Sequence, residues 1–123
     1  MKITRLLHVS VNVEGSLDAS RTFYEQLLGL GAISRPDIPG VAGSWLGLPG
    51  NEQLHLVDAP TGPPGIQPTG HHFCVAVDDL DGAIAELEAR HIAYKRGAQG
   101  EVVQIWIVDP AGNTIEFQQE TTR

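Results

Sequence analysis

The stretch that decides the fold runs from Asp109 to Phe117 and reads Asp-Pro-Ala-Gly-Asn-Thr-Ile-Glu-Phe. Its first half is typical of a tight turn, because proline fixes φ and the Gly-Asn pair tolerates a positive φ. Its second half alternates, so Ile115 and Phe117 share one face of a predicted strand and Glu116 lies on the other. An isolated carboxylate in such a place is usually solvated, but three histidines elsewhere in the chain favour a functional role.

The composition is that of one soluble globular domain. The chain has 123 residues, of which 41% are hydrophobic and 19% charged, enough for a core without disulfides or a structural metal. A net charge of −7 argues against nucleic acid or an anionic membrane as partner, since both reward clustered Lys and Arg. The single cysteine, Cys74, cannot form an internal disulfide, and neither a signal peptide nor a membrane-length apolar run is evident. We therefore expect a cytoplasmic protein.

The same order of elements is written twice, on either side of a proline- and glycine-rich linker at residues 59–70. Each half, residues 1–58 and 71–120, predicts a strand, a helix and three further strands. In chain order the predicted elements are a strand at 6–13, a helix from Ser16 to Gly29, a looser segment with a strand near 44–48, a strand at 53–57, a strand at 72–77, a helix opened by Asp78-Asp79, and strands near Ala93, at 102–108 and after the Asp109 turn.

Four side chains that can bind metals occupy matching places in the two halves. His8 and His72 lie in the first strand of each half, and His55 and Glu116 lie in the last strand, all on the face opposite the valines and leucines. Because helices are expected to cover the apolar faces, the four residues should line a common groove. Three imidazoles and one carboxylate suit a divalent transition metal such as Zn, Ni, Co, Fe or Mn better than Ca or Mg. We predict one such metal per site, with Glu116 as the catalytic base.

Four further side chains are candidates for contact with a substrate. Gln104 and Trp106 share the polar face of a strand whose other face is aliphatic, and Trp45 is predicted to close the opposite side of the groove. Cys74 has the same parity as His72 and is expected in the floor. Core or dimer packing explains the two tryptophans equally well. A nucleophilic role for Cys74 is disfavoured, since no second histidine is positioned to activate it.

The sequence resembles the vicinal oxygen chelate superfamily, which includes glyoxalase I, methylmalonyl-CoA epimerase, extradiol dioxygenases and fosfomycin-resistance thiol transferases. Four segments carry the resemblance: 6–9 (Leu-Leu-His-Val), 23–30 (Phe-Tyr-Glu-Gln-Leu-Leu-Gly-Leu), 72–80 (His-Phe-Cys-Val-Ala-Val-Asp-Asp-Leu) and 109–117. The resemblance implies an α+β fold in which two βαβββ modules form a cup-shaped, half-open barrel around a metal, usually in a homodimer. It places His8, His72 and Glu116 at ligand positions of the superfamily, and His55 where glyoxalase I has a glutamate and the epimerase a glutamine.

Three functions are compatible with this resemblance. The first is a metal-dependent isomerase or lyase that stabilises an enediolate or enolate of a small oxygenated substrate. The second is an Fe(II) ring-cleaving dioxygenase or a metal-dependent thiol transferase. The third is a protein that sequesters drugs such as bleomycin without catalysis, for which an acidic chain would suit a cationic ligand. A metal-bound imidazole is a poor base, so His55 weakens the first function. As a fourth ligand it would also crowd the second, an objection that fails if His55 swings off the metal.

Overall fold

The computed structural model describes residue 2 and residues 4–69 and 71–120. The chain divides into two compact units, Met1–Gly62 and Pro63–Arg123. The division lies inside the predicted 59–70 linker, whose last residue, Gly70, lies outside the described residues. In the described part of the chain, no helix has the length and apolar character needed to cross a membrane.

The first unit is a four-stranded sheet with one helical segment. Its elements are β1 (His8–Asn12), α1 (Leu17–Thr22), a π-helical turn (Phe23–Leu27), β2 (Gly31–Ile33), β3 (Gly43–Gly47) and β4 (Gln53–Val57). The strand order is β1-β4-β3-β2. Strand β1 runs parallel to β4, and the other neighbours are antiparallel. The helical connection after β1 therefore serves as the crossover that parallel strands require.

The second unit repeats this plan. Its elements are β5 (His72–Val77), α2 (Leu80–Ala89), β6 (Lys95–Gln99), β7 (Val102–Val108) and β8 (Thr114–Gln119). The strand order is β5-β8-β7-β6, with β5 parallel to β8 and the other neighbours antiparallel. Helix α2 begins at the predicted place, where the Asp79 carboxylate accepts a hydrogen bond from the Gly82 amide. That bond satisfies one of the free amides of the first turn.

Each sheet has an apolar face and a polar face, as the alternation predicted. On the apolar faces, Leu54 and Leu56 of β4 and Ile115 of β8 are fully buried. Residues paired directly across neighbouring strands point to the same side of a sheet. The strand pairings therefore place every predicted site residue on a polar face: His8, Trp45 and His55 in the first unit, and His72, Cys74, Gln104, Trp106 and Glu116 in the second.

Three elements differ from the sequence prediction. The helix expected from Ser16 to Gly29 changes from α to π at Phe23, where the Leu28 amide bonds the Phe23 carbonyl five residues back. The sequence pattern did not predict the position of strand β2, because its Gly-Ala-Ile sequence is exposed throughout and has no apolar–polar alternation. Strand β6 begins at Lys95 and not near Ala93, since the Ile92 amide is still bonded to Leu87 at the end of α2.

Candidate functional site

The polar face of the second unit is built around the carboxylate of Glu116. The side chain lies in the middle of β8, and the residue is only 4% exposed. Five side chains donate to it. Oε1 accepts from His72 Nε2 at 3.1 Å and Trp106 Nε1 at 3.0 Å, and Oε2 accepts from Gln118 Nε2 at 2.7 Å, Gln104 Nε2 at 3.2 Å and Cys74 Sγ at 3.5 Å.

These donors keep Glu116 ionised. Burial by itself raises the pKa of this carboxyl, but hydrogen bonds from Gln118, Gln104, Cys74 and Trp106 outweigh burial and hold its pKa below the usual range. The reason is that a hydrogen bond to the charged form of an acid favours that form. Glu116 is therefore a fixed negative charge on a sheet face whose other polar groups are mainly neutral donors.

Strand register brings these donors to one place. In β8, Glu116 pairs directly with Cys74 of β5 on one side and with Trp106 of β7 on the other. The Trp106 ring lies over Gly97 of β6, where an added Cβ would come within 2.8 Å of the indole. Glycine at this position thus leaves the space that the ring occupies while its Nε1 reaches Glu116.

The thiol of Cys74 is held in its neutral form. Desolvation and the adjacent Glu116 charge raise the pKa of Cys74 to about 11, although the residue is exposed. The thiolate is the nucleophilic form of cysteine. The geometry accordingly disfavours a nucleophilic role, in line with the sequence interpretation.

The polar face of the first unit carries a stack of three rings. His55 lies between Trp45, at a centroid distance of 3.9 Å and an interplanar angle of 2°, and His8, at 4.1 Å and 15°. The three rings come from the adjacent strands β3, β4 and β1. The edge of the middle ring is also bound, because His55 Nε2 lies 2.8 Å from Gln53 Oε1. As an amide oxygen only accepts, Nε2 of His55 is the donor in this pair.

Burial and two neighbouring basic side chains lower the pKa of His55. Desolvation lowers its pKa first, and the nearby His8 and Arg35 lower it further. The Arg35 guanidinium lies beside Gly43, where an added Cβ would be 3.1 Å from its Nε. Its Nη2 donates to the Val41 carbonyl, while its buried Nε has no hydrogen-bond partner among the described residues.

The two units place corresponding residues at corresponding register positions. Ser10 pairs with His55 as Cys74 pairs with Glu116, since both pairs join the parallel strands of a unit. Trp45 likewise pairs with His55 as Trp106 pairs with Glu116. The contacts differ, because Trp106 donates its N–H to Glu116 and Trp45 stacks its ring on His55.

The structure brings the predicted residues together within each unit. His8, His55 and Trp45 are in contact in the first unit, and His72, Cys74, Gln104 and Trp106 surround Glu116 in the second. Over the described ranges, no group of three or more His, Cys, Asp or Glu side chains stands in a metal-holding arrangement. The joint metal site and the assignment of ligands stay predictions.

Sequence reasoning missed four residues of these faces. Gln118 and Gln53 contact Glu116 and His55 from two positions away on the same strand, a spacing that the alternation could have flagged. Gly97 and Arg35 gave no such signal. Their roles depend on the closeness of neighbouring strands and on a loop conformation, which periodicity does not report.

Comparison with known proteins places this fold in a family. The sequence profile of the Glyoxalase/Bleomycin resistance protein/Dioxygenase superfamily matches residues 5–117. The Arabidopsis thaliana protein "Glyoxylase I 4" is 32% identical over 126 residues, a match that covers 95% of this chain and 71% of the relative.

Two solved structures extend the match. A glyoxalase family protein from Bacillus anthracis is 26% identical with a TM-score of 0.83, and the match covers 98% of each chain. TnmS3, an antibiotic-binding protein from Streptomyces sp. CB03234, is 30% identical with a TM-score of 0.70, covering 98% of this chain and 99% of that one. The profile match spans nearly the whole chain, and the two-sheet architecture agrees with these structures. The chain belongs to the Glyoxalase/Bleomycin resistance protein/Dioxygenase superfamily.

Proposed function

We propose that the protein is a divalent-metal-dependent enzyme of the glyoxalase-like group, an isomerase or lyase acting on a small oxygenated substrate. The observation that carries this proposal is the buried, ionised carboxylate of Glu116 in contact with His72. A buried carboxylate kept charged by hydrogen bonds from its neighbours is costly to build for structure alone. The similarity to "Glyoxylase I 4" supports the same class.

The donor set fits a transition metal by its chemistry. Imidazole and carboxylate groups are ligands that Zn, Ni, Co, Fe and Mn accept, and the proposed ligands are His8, His72 and Glu116. A carboxylate has about four lone-pair sites, and Glu116 already has five donors. To become a ligand it must therefore release at least two of them. His72, itself a proposed ligand, would be one of the donors released, and the Cys74 thiol, at 3.5 Å, makes the longest of the five contacts.

The roles of the residues follow from this arrangement. A bound divalent ion would supply Lewis-acid stabilisation of negative charge on a substrate oxygen. Glu116 would take up and return the substrate proton. Trp106, Gln104 and Gln118 keep its carboxylate in one orientation, and Gln104 and Trp106 would form the wall against which the substrate lies. A small oxygenated compound suits such a face, because the face offers N–H donors and an indole surface.

A homodimer is part of the proposal. Leu6 and Leu7, directly before the edge strand β1, are 62% and 59% exposed, and exposed apolar side chains beside an unpaired strand edge favour association. Analytical ultracentrifugation checks this. A monomer that still binds metal would exclude a site built from two subunits.

The test of the function is metal content. Protein purified without an affinity tag is analysed for transition metals, together with His8→Ala and Glu116→Ala, and with His71→Ala as a control at an exposed neighbouring histidine. We expect about one metal per chain in the wild type and in the control, with loss in the other two variants. Absence of metal, and no uptake of added Ni, Zn, Mn or Fe(II), would refute the proposal.

The identity of the metal and a reaction assay then distinguish the glyoxalase, dioxygenase and thiol transferase reactions. Ni, Zn or Mn with isomerisation of the methylglyoxal–glutathione adduct and no oxygen uptake would establish the glyoxalase reaction. Fe(II) with oxygen consumption on a catechol would instead establish a dioxygenase. Metal-dependent addition of a thiol to an electrophile would indicate a thiol transferase.

A second candidate is a ligand-binding protein that sequesters a planar drug. It is favoured by the 30% identity to the antibiotic-binding TnmS3 and by the ring stack of Trp45, His55 and His8, whose aromatic surfaces suit a flat ligand. Titration with metal-free bleomycin, followed by tryptophan fluorescence, tests it. Saturable binding by the metal-free protein would support this function, and a flat titration would count against it.

A further inference from the structure

His55 is held on three sides before any ligand arrives. Its ring faces contact Trp45 at 3.9 Å and His8 at 4.1 Å, and its Nε2–H donates to Gln53. It is also buried, at 8% exposure. His8, in contrast, is exposed, lies in an edge strand and is stacked on one side. The two histidines of the first unit are therefore not equivalent as candidate ligands.

The geometry of the stack prevents both rings from binding one ion. The lone pair of an imidazole nitrogen lies in the ring plane, so an ion bound by two histidines must lie close to both planes. The planes of His8 and His55 differ by 15° with centroids 4.1 Å apart. Two such planes cross on the order of 10 Å from the rings, whereas a metal–imidazole nitrogen bond is only about 2.1 Å long. One of the two rings must leave the stack if both are to be ligands.

We propose that His55 is a positioning residue and not a metal ligand: its ring, held between Trp45 and His8, fixes the orientation of the His8 imidazole. Trp45 and Gln53 hold His55, and His55 in turn holds His8. This inference rests on the proposed metal-dependent function. It leaves His8, His72 and Glu116 as the proposed protein ligands.

The test compares two substitutions that remove the imidazole but treat the stack differently. His55→Phe keeps an aromatic ring between Trp45 and His8 and cannot bind metal, whereas His55→Ala removes the ring. Ni²⁺ affinity is measured by calorimetry on the metal-free full chain, with His8→Ala for comparison. We expect His55→Phe to stay close to wild type and His55→Ala to lose about 10–100-fold, as outer-shell changes do. An equal loss in His55→Phe and His8→Ala would overturn the proposal.

Two further measurements separate this inference from the proposed function. The visible absorption of the Co²⁺-loaded protein reports ligand number, and we expect it to be the same in wild type and His55→Phe. Without metal, the His8 ring protons are followed by NMR, where stacking on His55 shifts them upfield. We expect this shift to persist in His55→Phe and to vanish in His55→Ala. If the wild type binds no metal, the proposed function fails, and the NMR comparison alone decides whether His55 orients His8.

Gln53→Leu examines the other support of His55. The substitution removes the 2.8 Å contact to Nε2 while leaving both ring neighbours in place. We expect a smaller loss of Ni²⁺ affinity than in His55→Ala, because the stack remains. An increase in affinity would indicate that freeing Nε2 lets His55 bind the ion, and it would overturn the proposal.

Discussion

Trp106→Phe removes a single donor from the Glu116 carboxylate. The indole Nε1 lies 3.0 Å from Oε1, and the tryptophan is 9% exposed. A hydrogen bond to a charged group contributes about 1.5–3 kcal/mol to the free energy of unfolding, because its loss leaves a buried charge less well solvated. We expect Trp106→Phe to lower the free energy of unfolding by at least that amount, as the smaller ring also leaves a cavity above Gly97.

Trp45→Phe is the matched control. Trp45 occupies the corresponding register position in the first unit, and its described contact is a stack on His55 that phenylalanine can keep. We expect a loss of about 1 kcal/mol or less, the size of an aromatic pair contribution. The same chemical change at two equivalent places should thus have different effects.

Urea denaturation of a double-mutant cycle isolates the hydrogen bond from the cavity. The cycle combines Trp106→Phe with Glu116→Gln, which keeps the shape of the acceptor and removes its charge. Charge-assisted bonds are roughly twice as strong as neutral ones, so we expect a coupling of about 1 kcal/mol. Additive effects within about 0.3 kcal/mol, or equal losses in Trp106→Phe and Trp45→Phe, would refute the view that Trp106 stabilises a charged Glu116.

Two further predictions follow from the shifted pKa values. Cys74 is exposed, yet its pKa is about 11 against an ordinary 9.0. We therefore expect iodoacetamide to alkylate it about 100-fold more slowly than a cysteine in an unstructured peptide near pH 8. Glu116→Gln should accelerate the alkylation, and an unchanged rate would contradict the role of the carboxylate. The pKa of His55 in the folded protein lies below its ordinary value of 6.5. As the pH falls, the His55 imidazole therefore takes up a proton in the unfolded chain before it does so in the folded protein. The free energy of unfolding should accordingly fall as the pH drops from about 7 through 6.5. His55→Phe should flatten that dependence, and an unchanged slope would show that His55 is not its source.

The sequence predicted the polar faces because alternation depends only on local geometry. A one-residue shift would have moved Glu116 into the apolar side, and the Ile115 and Phe117 neighbours exclude that register. The hydrophobic pattern on either side of the proline- and glycine-rich linker likewise predicted the repeated order of elements. The start of α2 was predicted because Asp79 supplies its own cap.

The sequence could not predict what the polar side chains do once they meet. Both tryptophans were candidates for substrate contact, but their donor and stacking roles depend on which residue lies opposite in the neighbouring strand. Strand β2 and the π-helical turn were not predicted, because exposed or irregular segments have no regular hydrophobic pattern. The three-ring stack required a distance and an angle, which no pattern of residue types contains.

We interpret the matching registers of the two units as the result of an internal duplication. A histidine stands at the start of β1 and β5, and a tryptophan lies opposite the central residue of both β4 and β8. At that central residue the copies have diverged, one to histidine and the other to glutamate. An ancestral half that carried the same residue in both copies could not have offered a neutral ring and a fixed charge at once. With two copies, one unit can place a neutral ring at this position and the other a charged carboxylate. His55 and Glu116 are the residues that make this difference.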